Sequence, residues 1–191
     1  MHTGDPRWRR PILLVVHGRQ RATDLDLGIG PWFVDLARGH GRFDVRIGDL
    51  DELARTIDAT SGRAPASGRG RDAAPSWHRP VAEADAFAFA TADAEEGLMA
   101  PLLDVVDRRD EAWRLKPAGL IRPPGAPFER SAHALREVLR TLRAVPVDAD
   151  TNVPDAAHAL RLGPTETEAA AAREAHALLG ELARMHHWLR S

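Results

Sequence analysis

Apolar residues along the chain fall into short continuous or alternating runs, separated by stretches where they recur every three or four positions. Residues 11–16 form a continuous aliphatic run bounded by proline and glycine, the pattern of a strand buried on both faces. A polar, glycine-containing stretch follows from 17 to 30. Residues 31–37 then start or continue a helix with Trp32, Phe33 and Leu36 on its apolar face, ending near Gly39 or Gly41. The strict alternation at 43–47 predicts a strand with one less buried face, at a sheet edge. Asp49 and Leu50 close it. From 58 to 80 the chain is rich in Ala, Ser, Gly, Pro and Arg, and no period survives. A mobile excursion is expected there, ending in a short helix around 77–84.

The central stretch, 84–121, organises the rest. It reads Ala-Asp-Ala-Phe-Ala-Phe-Ala-Thr, then Gly97, a helical pattern at 98–112, and a second apolar run at 113–121. Strand, crossover helix and strand imply a parallel sheet whose working edge lies at the strand C-termini, which puts Thr91 to Gly97 in a loop able to meet a ligand. Residues 122–128 form a proline-laden loop after the fourth strand. A helix is expected over 131–143 with Ser131 as N-cap, a fifth strand over 145–150, and a last helix opened by a capping box between Thr165 and Glu168. Ala171, Ala175, Leu178, Leu182, Met185 and Leu189 follow helical spacing along it. Five strands alternating with helices make a three-layer α/β/α sandwich around a five-stranded parallel sheet.

Composition narrows the function classes. A length of 191 residues suits one domain, with residues 1–10 a loose leader. A formal charge of -2 gives no global attraction to nucleic acid or anionic membrane. The short run at 12–16, behind Arg7, Arg9 and Arg10, does not make a signal peptide or a membrane span. The chain has no cysteine, so disulfides and thiolate chemistry are excluded and a reducing cytoplasm is expected. Lys116 is the only lysine. His186 and His187 are adjacent on a helix and point to different faces, so no metal is expected. His133, His158 and His176 read as surface or packing residues. Asp93, Glu95 and Glu96 read as a solvated acidic loop, with acid/base work or cation binding the alternative. The polar loop after the first strand is either a phosphate cradle before a helix N-terminus or an ordinary connection.

The chain resembles the NADPH-dependent FMN reductase family, from residue 11 to the last helix. The segments that carry the likeness are Trp-Phe-Val-Asp-Leu-Ala-Arg at 32–38, Phe-Asp-Val-Arg-Ile-Gly-Asp-Leu at 43–50, the run at 84–91, and Trp113 with Lys-Pro-Ala-Gly at 116–119. The resemblance implies a flavodoxin-like fold with strand order 2-1-3-4-5, FMN as cofactor and NADPH as reductant. Three loops would hold FMN. Gly18, Arg19, Arg21 and Thr23 would grip its phosphate; Thr91, Ala92, Asp93, Ala94, Glu95 and Gly97 would line the ring; Gly125 and Phe128 would cover its edge.

All three loops depart from the family pattern. The first lacks the serine of Gly-Ser-x-Arg. The second lacks the tyrosine that lies against the ring, and the chain has no tyrosine at all. The third has prolines where glycines would donate N–H groups. The resemblance implies hydride transfer from NAD(P)H through FMN to a flavin or quinone, with no side chain needed as catalytic acid or base. The alternative is a non-catalytic flavodoxin-like binding protein that has lost FMN. A homodimer or homotetramer is implied, with 98–113 as the contact.

Overall fold

The computed structural model describes residues 9–17, 29–49, 78–90, 102–103, 111–122, 128–152 and 166–191. Five parallel strands make one sheet: β1 (Ile12–His17), β2 (Asp44–Asp49), β3 (Ala86–Ala90), β4 (Pro117–Arg122) and β5 (Val145–Asn152). Their order is β2-β1-β3-β4-β5, the order expected from the resemblance. The helices are α1 (Ile29–His40), α2 (His78–Glu83), α3 (Phe128–Thr141) and α4 (Glu166–Arg190), with a 3-10 turn at Glu111–Trp113 before β4.

The alternation of β3 separates the two faces. Ala86, Ala88 and Ala90 join Phe33, Ala37, Leu178 and Leu182 in the core beneath α1 and α4. Phe87 and Phe89 join Trp113, Leu135 and Leu139 in the core on the α3 side. Small side chains on one face admit helices closely, and large ones on the other fill the wider gap. Trp113 stacks on Phe87 at 4.5 Å between ring centroids. On β4, Gly119 pairs with Ala88, and a Cβ there would lie 2.6 Å from Leu178 Cδ1. Glycine is what lets α4 seat its leucine against the sheet.

The structure moves several boundaries. The helix expected from Ser131 begins at Phe128, so Ser131 lies in its first turn and is not the N-cap. Pro127 precedes that start in the sequence, and a proline near a helix start sacrifices no intrahelical bond. Trp113 belongs to the 3-10 turn and β4 starts only at Pro117, because Leu115 takes a left-handed φ of 55° that breaks any extended run. The helix α3 ends at Thr141, with Arg143 at φ 62° beyond it. Arg143 N donates to Arg140 O and Ala144 N to Leu139 O at 2.8 and 2.9 Å, a Schellman ending with arginine where glycine is usual. Leu115 N donates to Arg143 O at 2.8 Å, which ties the two left-handed residues together. Within the helix expected at 98–112, residues 102 and 103 are helical and 111 and 112 fall in the 3-10 turn; the remainder lies outside the described residues.

The edge assignment for β2 holds. Phe43, just before the strand, is buried, whereas Ile47 on the same side is 52% exposed. On β5, also an edge, Pro146 opposes Ala118 while Asp150 opposes Leu120. Extra residues are therefore accommodated in β5, where only one neighbour must be matched.

Candidate functional site at the carboxyl edge of the sheet

Parallel pairing brings the strand C-termini into line. His17 pairs with Asp49 on one side and Ala90 on the other, Ala90 pairs with Ile121, and Ile121 with Thr151. Adjacent strands lie ~4.8 Å apart, so the ends of β1, β3 and β4 together span ~10 Å. From β1 the chain goes to β2 on one side, and from β3 to β4 on the other. Connections that diverge in this way leave a crevice at the strand ends, the usual ligand position in open parallel sheets.

The side chains of β3 do not enter that crevice from the faces of the sheet, because all five are buried in the two cores. The site residues expected from the sequence all belong to the segments that follow the strand ends. Gly18, Arg19, Arg21 and Thr23 follow β1; Thr91, Ala92, Asp93, Ala94, Glu95 and Gly97 follow β3; Gly125 follows β4. All of these lie outside the described residues, as do Glu96 and Thr165. Phe128 is placed as the first residue of α3. The first turn of α1 carries no acidic residue, so nothing in that turn repels an anion.

Sequence reasoning missed the polar constellations at the other end of the sheet. Asp85, just before β3, is buried. Its Oδ2 accepts from Ile12 N at 2.9 Å and from the Arg9 guanidinium at 3.0 Å, while Oδ1 accepts from Arg190 at 3.0 Å. One carboxylate thus joins the segment before β1 to the last turn of α4. Burial lowers His186 below its usual value, against the pull of Asp85, with Arg190 and His187 adding to the lowering. Lys116 Nζ donates to Val81 O at 2.7 Å and Ala82 O at 3.0 Å, satisfying carbonyls at the end of α2, and lies 5.9 Å from the centre of the Phe87 ring. Glu83, bonded to Arg79 and Arg46, is held below the usual carboxylate range by those two guanidiniums. The signal for Asp85 was present as an acid among alanines at a strand start; its partners were not, being 76 and 105 positions away.

Among the described residues no group of three or more His, Cys, Asp or Glu is placed to hold a metal ion, and no helix is long and apolar enough to cross a membrane. What the described geometry offers is a reversal of strand order between β1 and β3 at one end of the sheet and a charged lock at the other.

Comparison with known proteins agrees with this layout. No curated protein matches the chain. Among solved structures, an oxidoreductase from Corynebacterium diphtheriae superposes with a TM-score of 0.61 at 17% identity, covering 94% of this chain and 98% of the other. An apo NADH:FMN oxidoreductase gives a TM-score of 0.55 at 13% identity, with 93% and 89% covered. A flavodoxin from Streptococcus pneumoniae TIGR4 gives 0.51 at 14%, with 91% and 98% covered. At such identities the likeness establishes the flavodoxin-like fold alone. The family model for NADPH-dependent FMN reductase matches residues 12–158, from the first residue of β1 to beyond the end of β5. With all five strands inside that match, the chain belongs to the NADPH-dependent FMN reductase family.

Proposed function

We propose that the chain is a flavin-dependent oxidoreductase that takes reducing equivalents from NADPH and delivers them to a small acceptor, a flavin or a quinone. The observation that carries this reading is the family match over the whole sheet, joined to a strand order that opens the crevice between the ends of β1 and β3. FMN, when bound, supplies the two-electron carrier, and the protein's part is binding, orientation and exclusion of competing reactions.

In this reading Gly18, Arg19, Arg21 and Thr23 hold the phosphate, a task suited to arginine because its planar fork donates two parallel bonds to phosphate oxygens. Thr91, Ala92, Asp93, Ala94, Glu95 and Gly97 line the ring, and Gly125 and Phe128 cover its edge. The donor set fits a phosphate monoester at the first loop. At the second, the family's tyrosine is replaced by short and acidic residues, so ring binding relies on backbone groups and on apolar contact. The chain works as one domain and pairs with a second copy through 98–113, a segment on which Leu103 is 49% exposed.

The test is the visible spectrum of the purified protein, then titration of the apo form with FMN while flavin fluorescence is followed. Saturable quenching at micromolar FMN or tighter is expected. Charged hydrogen bonds contribute about 1.5–3 kcal/mol each, so Arg19→Ala with Arg21→Ala should weaken binding by roughly 100-fold or more. NADPH oxidation by the loaded protein should fall in step. A colourless protein that leaves FMN fluorescence unchanged at tens of micromolar refutes the enzyme reading. That outcome favours the second reading, a flavodoxin-like binding protein without flavin, for which the absent tyrosine and the prolines at 123, 124 and 127 speak.

A further inference from the structure

The helices α1 and α4 lie on the same face of the sheet, and each brings an imidazole to their contact. His40 is the last residue of α1 and His176 lies in α4. Their ring centroids are 5.5 Å apart, with planes inclined at 54°. Ordinary ring contacts fall in the same range, so the distance alone decides nothing.

Three further features point to a ligand. His40 Nδ1 is buried and has no hydrogen-bond partner, although buried polar atoms normally find one. His176 Nδ1 lies 2.6 Å from Ala172 O. A carbonyl can only accept, so this nitrogen carries the proton and Nε2 keeps its lone pair. An imidazole held from behind by a backbone carbonyl is the usual state of a metal-binding histidine. Finally, His40 sits at the carboxyl end of α1, where the helix dipole favours a cation.

The spacing also fits. With metal–nitrogen bonds of about 2.0–2.1 Å, two imidazoles sharing one tetrahedral ion hold their centroids about 5 Å apart. We propose that His40 and His176 form a two-imidazole site for a divalent transition-metal ion of the zinc class, bridging α1 and α4, with water completing the coordination. Both His176 and the Arg42 guanidinium lie close enough to His40 to act on it electrostatically. Arg42 is the charged group that opposes the ion, and it limits the affinity. Among the described residues no third His, Cys, Asp or Glu joins the pair, so two imidazoles are the protein ligands the described part of the chain offers.

The experiment uses full-length protein without a histidine tag, stripped with a chelator and titrated with zinc chloride. Binding is read by competition with a chromophoric chelator and by the thermal midpoint, which rises with any ligand that prefers the folded state. One zinc per chain at micromolar affinity is expected, reversed by chelator. His176→Gln, at an exposed position, should leave the metal-free midpoint in place and weaken zinc binding at least tenfold. His40→Gln should weaken it as much. His133→Gln, exposed on α3, is the control and should bind zinc as the parent does. Absence of a zinc-dependent rise, equal affinity in the parent and both site variants, or an equal loss in the His133 control each overturns the proposal.

Discussion

Replacing Asp85 with alanine should be among the most costly single changes outside the two apolar cores. The carboxylate is 8% exposed, against 54% for Arg9 and 67% for Arg190. That asymmetry sets the magnitude. When the carboxylate goes, both guanidiniums can turn to water, so each lost contact costs only about 0.2–1 kcal/mol. Ile12 N cannot do the same, because Ile12 is 2% exposed. An N–H left without a partner there costs about 1–3 kcal/mol. The total is about 1.5–5 kcal/mol, and at ~2–4 °C per kcal/mol for a domain of this size the thermal midpoint should drop by roughly 3–20 °C. Urea unfolding followed by tryptophan fluorescence measures it directly.

Two companions make the reasoning vulnerable. Asp85→Asn keeps an oxygen for Ile12 N but turns an NH2 toward an arginine, so it should recover part of the loss. The double variant Arg9→Ala with Arg190→Ala keeps the Ile12 N–H bond but leaves a buried carboxylate without its charge partners, and should cost about 3–5 kcal/mol. If Asp85→Asn, which keeps an acceptor for Ile12 N, is as destabilising as Asp85→Ala, the charges and not the backbone N–H carry the lock, and the account is wrong.

Two other outcomes follow from the same structure. Gly119→Ala places a methyl 2.6 Å from Leu178 Cδ1; Leu178 is fully buried, so the strain of overpacking should cost about 1–3 kcal/mol, measured by urea midpoint, and a compensating Leu178→Ala should cost less in the Gly119→Ala background than in the parent. The lowered His186 makes stability fall in acid: below 6.5 the unfolded chain takes up a proton that the folded one still refuses, so the contribution is intact above that value and lost as pH falls through the lower folded value. Urea midpoints between pH 7.5 and pH 5 should show this slope, and His186→Gln should flatten it.

The sheet was largely legible in the sequence because its strands announce themselves by composition. Residues 12–16 and 86–90 are apolar on both sides of the chain, as a central strand requires, and both are buried. Boundaries were less legible where a single residue departs from its usual backbone. Nothing in Trp-Arg-Leu-Lys at 113–116 advertises that Leu115 is left-handed, so the apolar run looked longer than the strand. Nor does the sequence reveal which distant charges share a carboxylate, since that depends on the packing of α4 against the whole sheet. The ligand edge stands in between: its position follows from strand order, whereas the residues expected to hold FMN lie outside the described part of the chain.

The single lysine gives the molecule a chemical address. An amine-directed reagent has one side-chain target, and at rest Lys116 Nζ is held by the carbonyls of Val81 and Ala82. Acylation must wait until that grip opens, so the labelling rate at this one atom is a clock for the separation of α2 from the start of β4. It reads a motion of that corner of the fold with no mutation and no engineered probe.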